Sequence, residues 1–200
     1  ARGIGALVIY VATWTYASTS VSAALEADVP AVVWADATPG RFGIIGGAIV
    51  KGSLDEVGVH SNLVCGHFDD PHTRARLQTL CLGASAATRL RGLTYGLGGS
   101  RSMGMYTAMI DASQWRRDFG IDVDGFEQAE VIRRAGSVDE GEARRFLGWM
   151  KETFGRVEPS DAVMLAQIRL YLALREIIAE KGYDFISVKC LPEMPACHTT

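Results

Sequence analysis

Four short segments carry residue types that could bind or transform a ligand, and each follows an apolar run of the sequence. They are residues 12–16, 35–38, 98–104 and 189–193. Ligands of doubly wound sheets bind at the carboxyl ends of the strands, because loops and helix N-termini converge there. If the apolar runs are parallel strands, the four segments are therefore the predicted ligand-binding positions.

Two aromatic residues, Trp14 and Tyr16, stand at the end of the first apolar run. Aromatic residues at such positions commonly pack into the core. The alternative is a sugar platform, because an indole face packs against the C–H face of a sugar while polar neighbours bind its hydroxyls. The sequence alone leaves both interpretations open.

A glycine-rich segment, residues 96–104, resembles a phosphate-binding loop but lacks its key residues. The dinucleotide fingerprint requires a third glycine where Arg101 stands, and the Gly-Lys-Ser/Thr of the NTPase loop is absent. Two interpretations remain: a tight turn from strand to helix, or a cradle of backbone N–H donors for an anion or for hydroxyl groups.

Metal-binding and nucleophilic motifs are weak in this sequence. His67, Asp69, Asp70 and His72 share one loop, where we expect the two imidazoles to be solvated. Cys190, Cys197 and His198 provide three possible zinc ligands, which is a weak signal for a zinc site. We find no pair of carboxylates flanked by histidine and no Ser-His-Asp or Cys-His arrangement, so we predict no metal site within the chain.

The composition is that of an ordinary globular protein. Hydrophobic residues make up 48% of the 200 residues, and 20 basic residues are scattered among 23 acidic ones, giving a net charge of −3. This charge gives no reason to expect a nucleic-acid partner. The apolar run at 4–14 is too short to cross a bilayer and lacks the features of a signal peptide. The four cysteines form no C-x-x-C pair and are predicted to be reduced, so we expect a cytoplasmic protein.

The first half of the chain has the pattern of strands and crossover helices. Apolar runs at 5–12, 31–35 and 62–66 predict buried parallel strands, and 93–97 predicts a fourth. A helix is predicted over 70–89, with Asp70 as its N-cap and Pro71 at its first position. Leu77, Leu80, Leu82 and Ala84 are expected on or near its apolar stripe.

The second half predicts three charged amphipathic helices, at 126–135, 139–154 and 160–181, followed by a strand at 184–189. Ser137, with Glu140 three residues later, predicts a capping box for the second helix. Gly182 is expected to end the third. The predicted fold is α/β, with Rossmann-like parallel-sheet domains: 1–90 as the C-terminal part of a first domain and 91–200 as a second. We also expect the chain to be part of a longer protein.

The segment at 91–106, Arg-Gly-Leu-Thr-Tyr-Gly-Leu-Gly-Gly-Ser-Arg-Ser-Met-Gly-Met-Tyr, resembles the start of the second domain of the L-fucose isomerase family. Further similarity lies in Asp111, in 114–115 and 119–123, and in Glu130 with 133–134. Upstream, 13–16 and 30–34 resemble the late part of the family's first domain. Downstream, 184–185 and 189–193 resemble the end of its second domain, so the resemblance covers nearly the whole chain.

The resemblance implies an aldose–ketose isomerase that converts L-fucose, D-arabinose or a related sugar through an ene-diol. The family uses a divalent cation, typically Mn²⁺, held by two carboxylates and a histidine. Those ligands lie C-terminal to the region matched, so the resemblance implies that the catalytic C-terminal domain is absent from this chain. The chain alone is then expected to be inactive.

The resemblance also implies sugar-binding residues. Trp14 matches a tryptophan that reaches the sugar from a neighbouring subunit, and Met103 matches a methionine that lines the pocket. Leu191 stands where a glutamine is common, so a hydrogen bond to the sugar is lost or is supplied by Lys189 or Glu193. The family's shared sites imply a homo-oligomer, a trimer or a hexamer. The alternative function is a non-catalytic sugar-binding or oligomer-assembly module on the same scaffold.

Overall fold

Three parallel strands form a first sheet, in the order β1 (Leu7–Val11), β2 (Ala31–Ala35) and β3 (Ser61–Cys65). The computed structural model describes residues 3–191 and 194. Leu7 pairs with Ala31, and Ala31 pairs with Ser61. The three strands therefore begin and end at the same level, and their carboxyl ends lie at one edge of the sheet. The three strands predicted from the apolar runs are confirmed.

Three helices connect and cover this sheet: α1 (Ala17–Ala27), α2 (Gly43–Glu56) and α3 (Pro71–Leu90). Successive residues of a strand point to opposite faces. Val33 therefore packs with α1 and α2, in a cluster that includes Ala24 and Leu54. Val32 packs on the other face, with Val64 and Leu77 of α3. The middle strand β2 is thus covered on both faces, as expected of a parallel strand.

The start of α3 confirms the predicted cap. The Asp70 side chain accepts hydrogen bonds from the backbone N–H groups of His72 (3.2 Å) and Thr73 (3.0 Å), and Pro71 is the first helical residue. The predicted apolar stripe is only partly right, because Leu77 is buried whereas Leu82 is 64% exposed.

A second parallel sheet has the order β5–β4–β6, with β4 at Thr94–Gly98, β5 at Asp122–Phe126 and β6 at Phe185–Val188. The helices of this half are α4 (Ala112–Phe119), α5 (Gln128–Ser137), α6 (Glu140–Thr153) and α7 (Asp161–Lys181). The strands predicted at 93–97 and 184–189 and the three long helices are confirmed. The sequence did not predict β5 or α4.

The predicted cap of α6 is wrong. Asp139 is its N-cap, and the Asp139 carboxylate accepts a hydrogen bond from the backbone N–H of Glu142 at 2.8 Å. Ser137 is instead the last residue of α5, and its hydroxyl donates to the carbonyl of Arg133. Gly182 ends α7 with φ of 69°, as predicted.

The contacts divide the chain into two compact units, Ala1–Arg91 and Gly92–Thr200. The second unit has its own core, in which Phe126, Val131 and Ile177 are buried together, while Leu147 and Leu172 join α6 to α7. Assignment of the two units to domains of a longer enzyme stays a prediction.

Two further properties bear on function. None of the helices in the described part of the chain is both long and apolar enough to cross a membrane. The described cysteines, Cys65, Cys81 and Cys190, are free thiols.

Candidate functional site

Asp36 is the centre of a polar cluster at the carboxyl edge of the first sheet. It directly follows β2 and accepts a hydrogen bond from the Tyr10 hydroxyl, which comes from β1. The backbone N–H of Thr38 donates to Asp36 Oδ1 at 2.7 Å. His67, after β3, has Nδ1 3.9 Å from the same oxygen and 3.4 Å from Thr38 Oγ1. One side chain therefore connects the ends of all three strands.

The hydrogen bonds set the charge of this cluster. The hydrogen bonds from Thr38, followed in size of effect by the one from Tyr10, lower the pKa of Asp36 from its ordinary 3.8 to about 2, because donors stabilise the ionised carboxylate. The same hydrogen bond from Tyr10 to Asp36 raises the pKa of the Tyr10 phenol, because it stabilises the protonated form. The edge of the first sheet consequently holds a permanent, buried negative charge at neutral pH.

A row of aromatic rings leads up to the polar cluster. Tyr10 and Trp34 are register partners on β1 and β2, with ring centroids 4.3 Å apart, and Phe68 lies 5.4 Å beyond Trp34. The Trp34 indole N–H donates to the carbonyl of Gly66 at 2.9 Å, which fixes the ring. We call Tyr10, Trp34 and Phe68 the aromatic row.

Trp14 lies in the loop after β1, at the same edge of the first sheet. Its side chain is 56% exposed and that of Tyr16 is 81% exposed, so the core interpretation of these aromatic residues is wrong. The sugar-platform interpretation of Trp14 remains a prediction. Behind the loop, a Cβ on Gly46 would lie only 2.7 Å from the Thr13 carbonyl oxygen, so glycine allows α2 to approach closely.

The glycine-rich segment follows β4 at the carboxyl edge of the second sheet. A Cβ on Gly98 would meet the Phe126 ring at 2.6 Å, and Gly99 has φ of +82° with Gln128 against it. These glycines allow close packing and a turn. Two short 3₁₀ turns, Ser102–Gly104 and Tyr106–Ala108, separate them from α4. The chain therefore does not pass directly from β4 into an α-helix, and the interpretation of this segment as an N–H cradle stays a prediction.

Met103 lies in the first of these turns. It is 62% exposed and adopts the left-handed region, with φ of 45°, which is unusual for a residue with a side chain. The exposed ring of Tyr106 carries the Arg101 guanidinium 4.8 Å above its centroid. The turn thus presents Met103 to solvent at the edge of the sheet.

The segment after β6 lies against the loop that follows β4. The backbone N–H of Lys189 donates to Gly98 O at 2.8 Å, and the Gln128 amide donates to the Lys189 carbonyl. Ser102 Oγ donates to Leu191 O at 3.4 Å. The segments that carry the predicted residues Met103 and Lys189 therefore lie at the same sheet edge.

The other two predicted residues are Glu193 and Trp14. Glu193 lies outside the described residues, as do Cys197 and His198. Trp14 belongs to the first unit, whereas Met103 and Lys189 belong to the second. Each unit therefore has its own candidate site, at the carboxyl edge of its sheet.

The described residues do not fit a manganese site. Within residues 3–191 and 194, no three His, Cys, Asp or Glu side chains form a group that could hold a metal ion. His67 and His72 are both exposed, and Asp70 is engaged as a helix cap. The ligands that the resemblance implies stay a prediction about residues outside this chain.

The partnership of Tyr10, Asp36 and His67 was not predicted. The segment that contains Asp36 was a predicted ligand-binding position, but its partners lie 26 positions earlier and 31 positions later in the chain. The usable signal in the sequence was that Asp36 and His67 each directly follow a predicted strand, 31–35 and 62–66. Polar residues that follow in-step parallel strands meet at one edge.

A comparison with protein-family models and with curated proteins finds no match to this chain.

Proposed function

We propose that this chain forms the sugar-binding α/β part of a cytoplasmic aldose–ketose isomerase acting on L-fucose, D-arabinose or a related sugar. Its two parallel sheets are proposed to be Rossmann-like domains, the first of them incomplete. The catalytic metal centre is proposed to lie in a further domain. The proposal rests on the resemblance carried by the Ser102-Met103-Gly104 block, by Trp14 and by residues 189–193.

One observation supports a ligand site in the second unit. The loops after β4 and β6 touch at the carboxyl edge of the sheet, through Lys189 N–H to Gly98 O at 2.8 Å. Met103 is exposed at this edge. A methionine adapts to the apolar face of a ligand, while nearby backbone groups and Ser102 can bind hydroxyls.

The described residues are proposed to bind and orient the sugar. A bound Mn²⁺ would polarise the sugar oxygens and ease proton transfer between C1 and C2. Because the described residues do not fit such a site, we assign them no step of the reaction. A homo-oligomer is proposed because the family's sites are shared between subunits.

The test is turnover by the product of the whole open reading frame that encodes this chain. We expect Mn²⁺-dependent conversion of L-fucose or D-arabinose to the ketose, loss of activity with a chelator, and no turnover by the 200-residue chain alone. Met103→Ala should lower kcat/KM about tenfold or more, since a lost apolar contact in a pocket costs about 1–3 kcal/mol. Met109→Ala, an exposed methionine nearby in the chain, is the matched control.

The rival function is a sugar-binding or assembly module without catalysis. It requires no metal, so its affinity for sugar would be unchanged by chelators and by added Mn²⁺. A whole gene product that binds L-fucose but never isomerises it, with or without Mn²⁺, would favour this rival over the isomerase.

A further inference from the structure

We propose that the aromatic row and the Asp36 cluster form a binding site for a neutral monosaccharide on the first unit. The class of the ligand, a monosaccharide, is taken from the proposed function, so the inference rests on that proposal. Of the residues that form this site, Trp34 lies in the segment 30–34 that resembles the family, whereas Tyr10, Asp36, His67 and Phe68 lie outside the matched segments.

The aromatic row provides an open platform. Tyr10 is 48% exposed and Phe68 is 57% exposed, although both rings pack against Trp34. Helix α3 packs on β2 and β3. On β1, the outer strand, Val8 is 46% exposed and lies on the same face as Tyr10. Aromatic faces of this kind bind the C–H face of a pyranose ring.

The polar end of the platform can bind hydroxyl groups. The Nδ1 atom of His67 faces Asp36 and Thr38, which leaves Nε2, on the far side of the ring, for a ligand. The His67 side chain is 52% exposed, whereas that of Asp36 is 10% exposed. Asp36 therefore orients the imidazole, and His67 with Thr38 Oγ1 makes the contacts to the ligand.

The charge of the cluster favours a neutral ligand. Asp36 is ionised and sits directly behind His67, so it repels an anionic group. Among the described residues, the basic groups that interact electrostatically with Tyr10 or Asp36 are Arg41 and His67. A phosphate site uses several convergent cations or N–H donors, and a lone arginine beside a carboxylate does not supply them.

The experiment is an NMR titration of the 200-residue chain with L-fucose, followed through the His67 imidazole and the Tyr10 and Phe68 rings. We expect saturable shifts at these residues, with a Kd on the order of 1–10 mM. Phe68→Ala and His67→Ala should each raise the Kd at least fivefold. Phe154→Ala and His72→Ala, at an exposed phenylalanine and an exposed histidine elsewhere, should change it less than twofold. Circular dichroism and urea unfolding confirm that each variant is folded.

Three outcomes would overturn the inference. These are no saturable shift at His67 and the aromatic row, folded Phe68→Ala and His67→Ala variants with unchanged affinity, and tighter binding of adenosine than of L-fucose at the same residues. The last would assign the platform to a planar base. The assay contains no isomerisation step, so its failure leaves the proposed function to be decided by turnover. Absence of turnover by the whole gene product, with sugar binding to the 200-residue chain intact, would overturn only the proposed function.

Discussion

Asp36 makes the stability of the first unit depend on pH. Its folded-state pKa is about 2, against an ordinary 3.8. A carboxyl with a lowered folded pKa contributes stability that is present above the unfolded pKa and is lost as the pH falls through the folded value. We therefore expect this contribution to be complete at neutral pH and to disappear between pH 3.8 and about pH 2.

The isosteric variant Asp36→Asn tests this expectation, because it removes the charge while keeping the shape. Urea unfolding at pH 6 and at pH 3 should show a smaller loss of stability on acidification in the variant than in the parent chain. Asp55→Asn changes an exposed carboxylate on α2 and should leave the difference nearly intact. Equal acid sensitivity of the Asp36→Asn variant and the parent would contradict the proposed role of Asp36.

Single residues were predictable where their structural role is local. Asp70 before Pro71 and Gly182 after a helix act through backbone groups a few positions away, so the sequence reveals them. The hydrogen bond from Tyr10 to Asp36 spans 26 positions and depends on strand register. Trp14 was ambiguous for another reason: an apolar residue at a strand end has the same sequence pattern whether it is buried or exposed.

At the scale of elements, the N-terminus of α6 offers a direct comparison of two candidate caps. Asp139→Ala should destabilise the chain by about 1 kcal/mol, because it removes the acceptor for the Glu142 N–H. Ser137→Ala should change stability by less than about 0.5 kcal/mol, since that hydroxyl is exposed and bonds within its own helix. Urea unfolding of both variants measures the difference. A larger loss for Ser137→Ala would restore the cap predicted from sequence.

Helix α2 depends on glycine at some positions and not at others. A Cβ on Gly47 would lie 2.5 Å from Ala35 Cβ, so Gly47→Ala must push the helix off β2, at a cost of about 1–3 kcal/mol. Gly52 lies on the same helix with open space around it. Gly52→Ala should therefore stabilise the chain by about 0.5–1 kcal/mol. Equal effects of the two substitutions in thermal or urea unfolding would rule out this packing.

The elements that the sequence failed to predict have a common physical reason. The residues of β5, Asp-Val-Asp-Gly-Phe, include two carboxylates and a glycine, which are disfavoured in strands. This strand forms because β4 is beside it and Phe126 is buried in the core of the second unit. Tertiary contacts override local propensity there. The apolar strands β1 to β3 carry their own signal and were predicted.

At the scale of the whole molecule, alternation of apolar runs and helical stretches was enough to predict an α/β fold with parallel strands. It did not predict which polar residues converge, because that depends on strand order. The second sheet has β4 in the middle, which brings the loops after β4 and β6 together. No periodicity in the sequence encodes that order.

The two units have separate cores, and each should respond to its own core substitutions. Leu54 and Ile177 are both fully buried, the first in the core under β1 and β2 and the second in the core under α5 and α7. Replacing either by alanine should cost about 2–5 kcal/mol. Hydrogen exchange measured by mass spectrometry should then show faster exchange in residues 7–65 for Leu54→Ala and in residues 122–188 for Ile177→Ala. The two variants are matched controls for each other, and faster exchange across both units in either variant would contradict two separately stabilised cores.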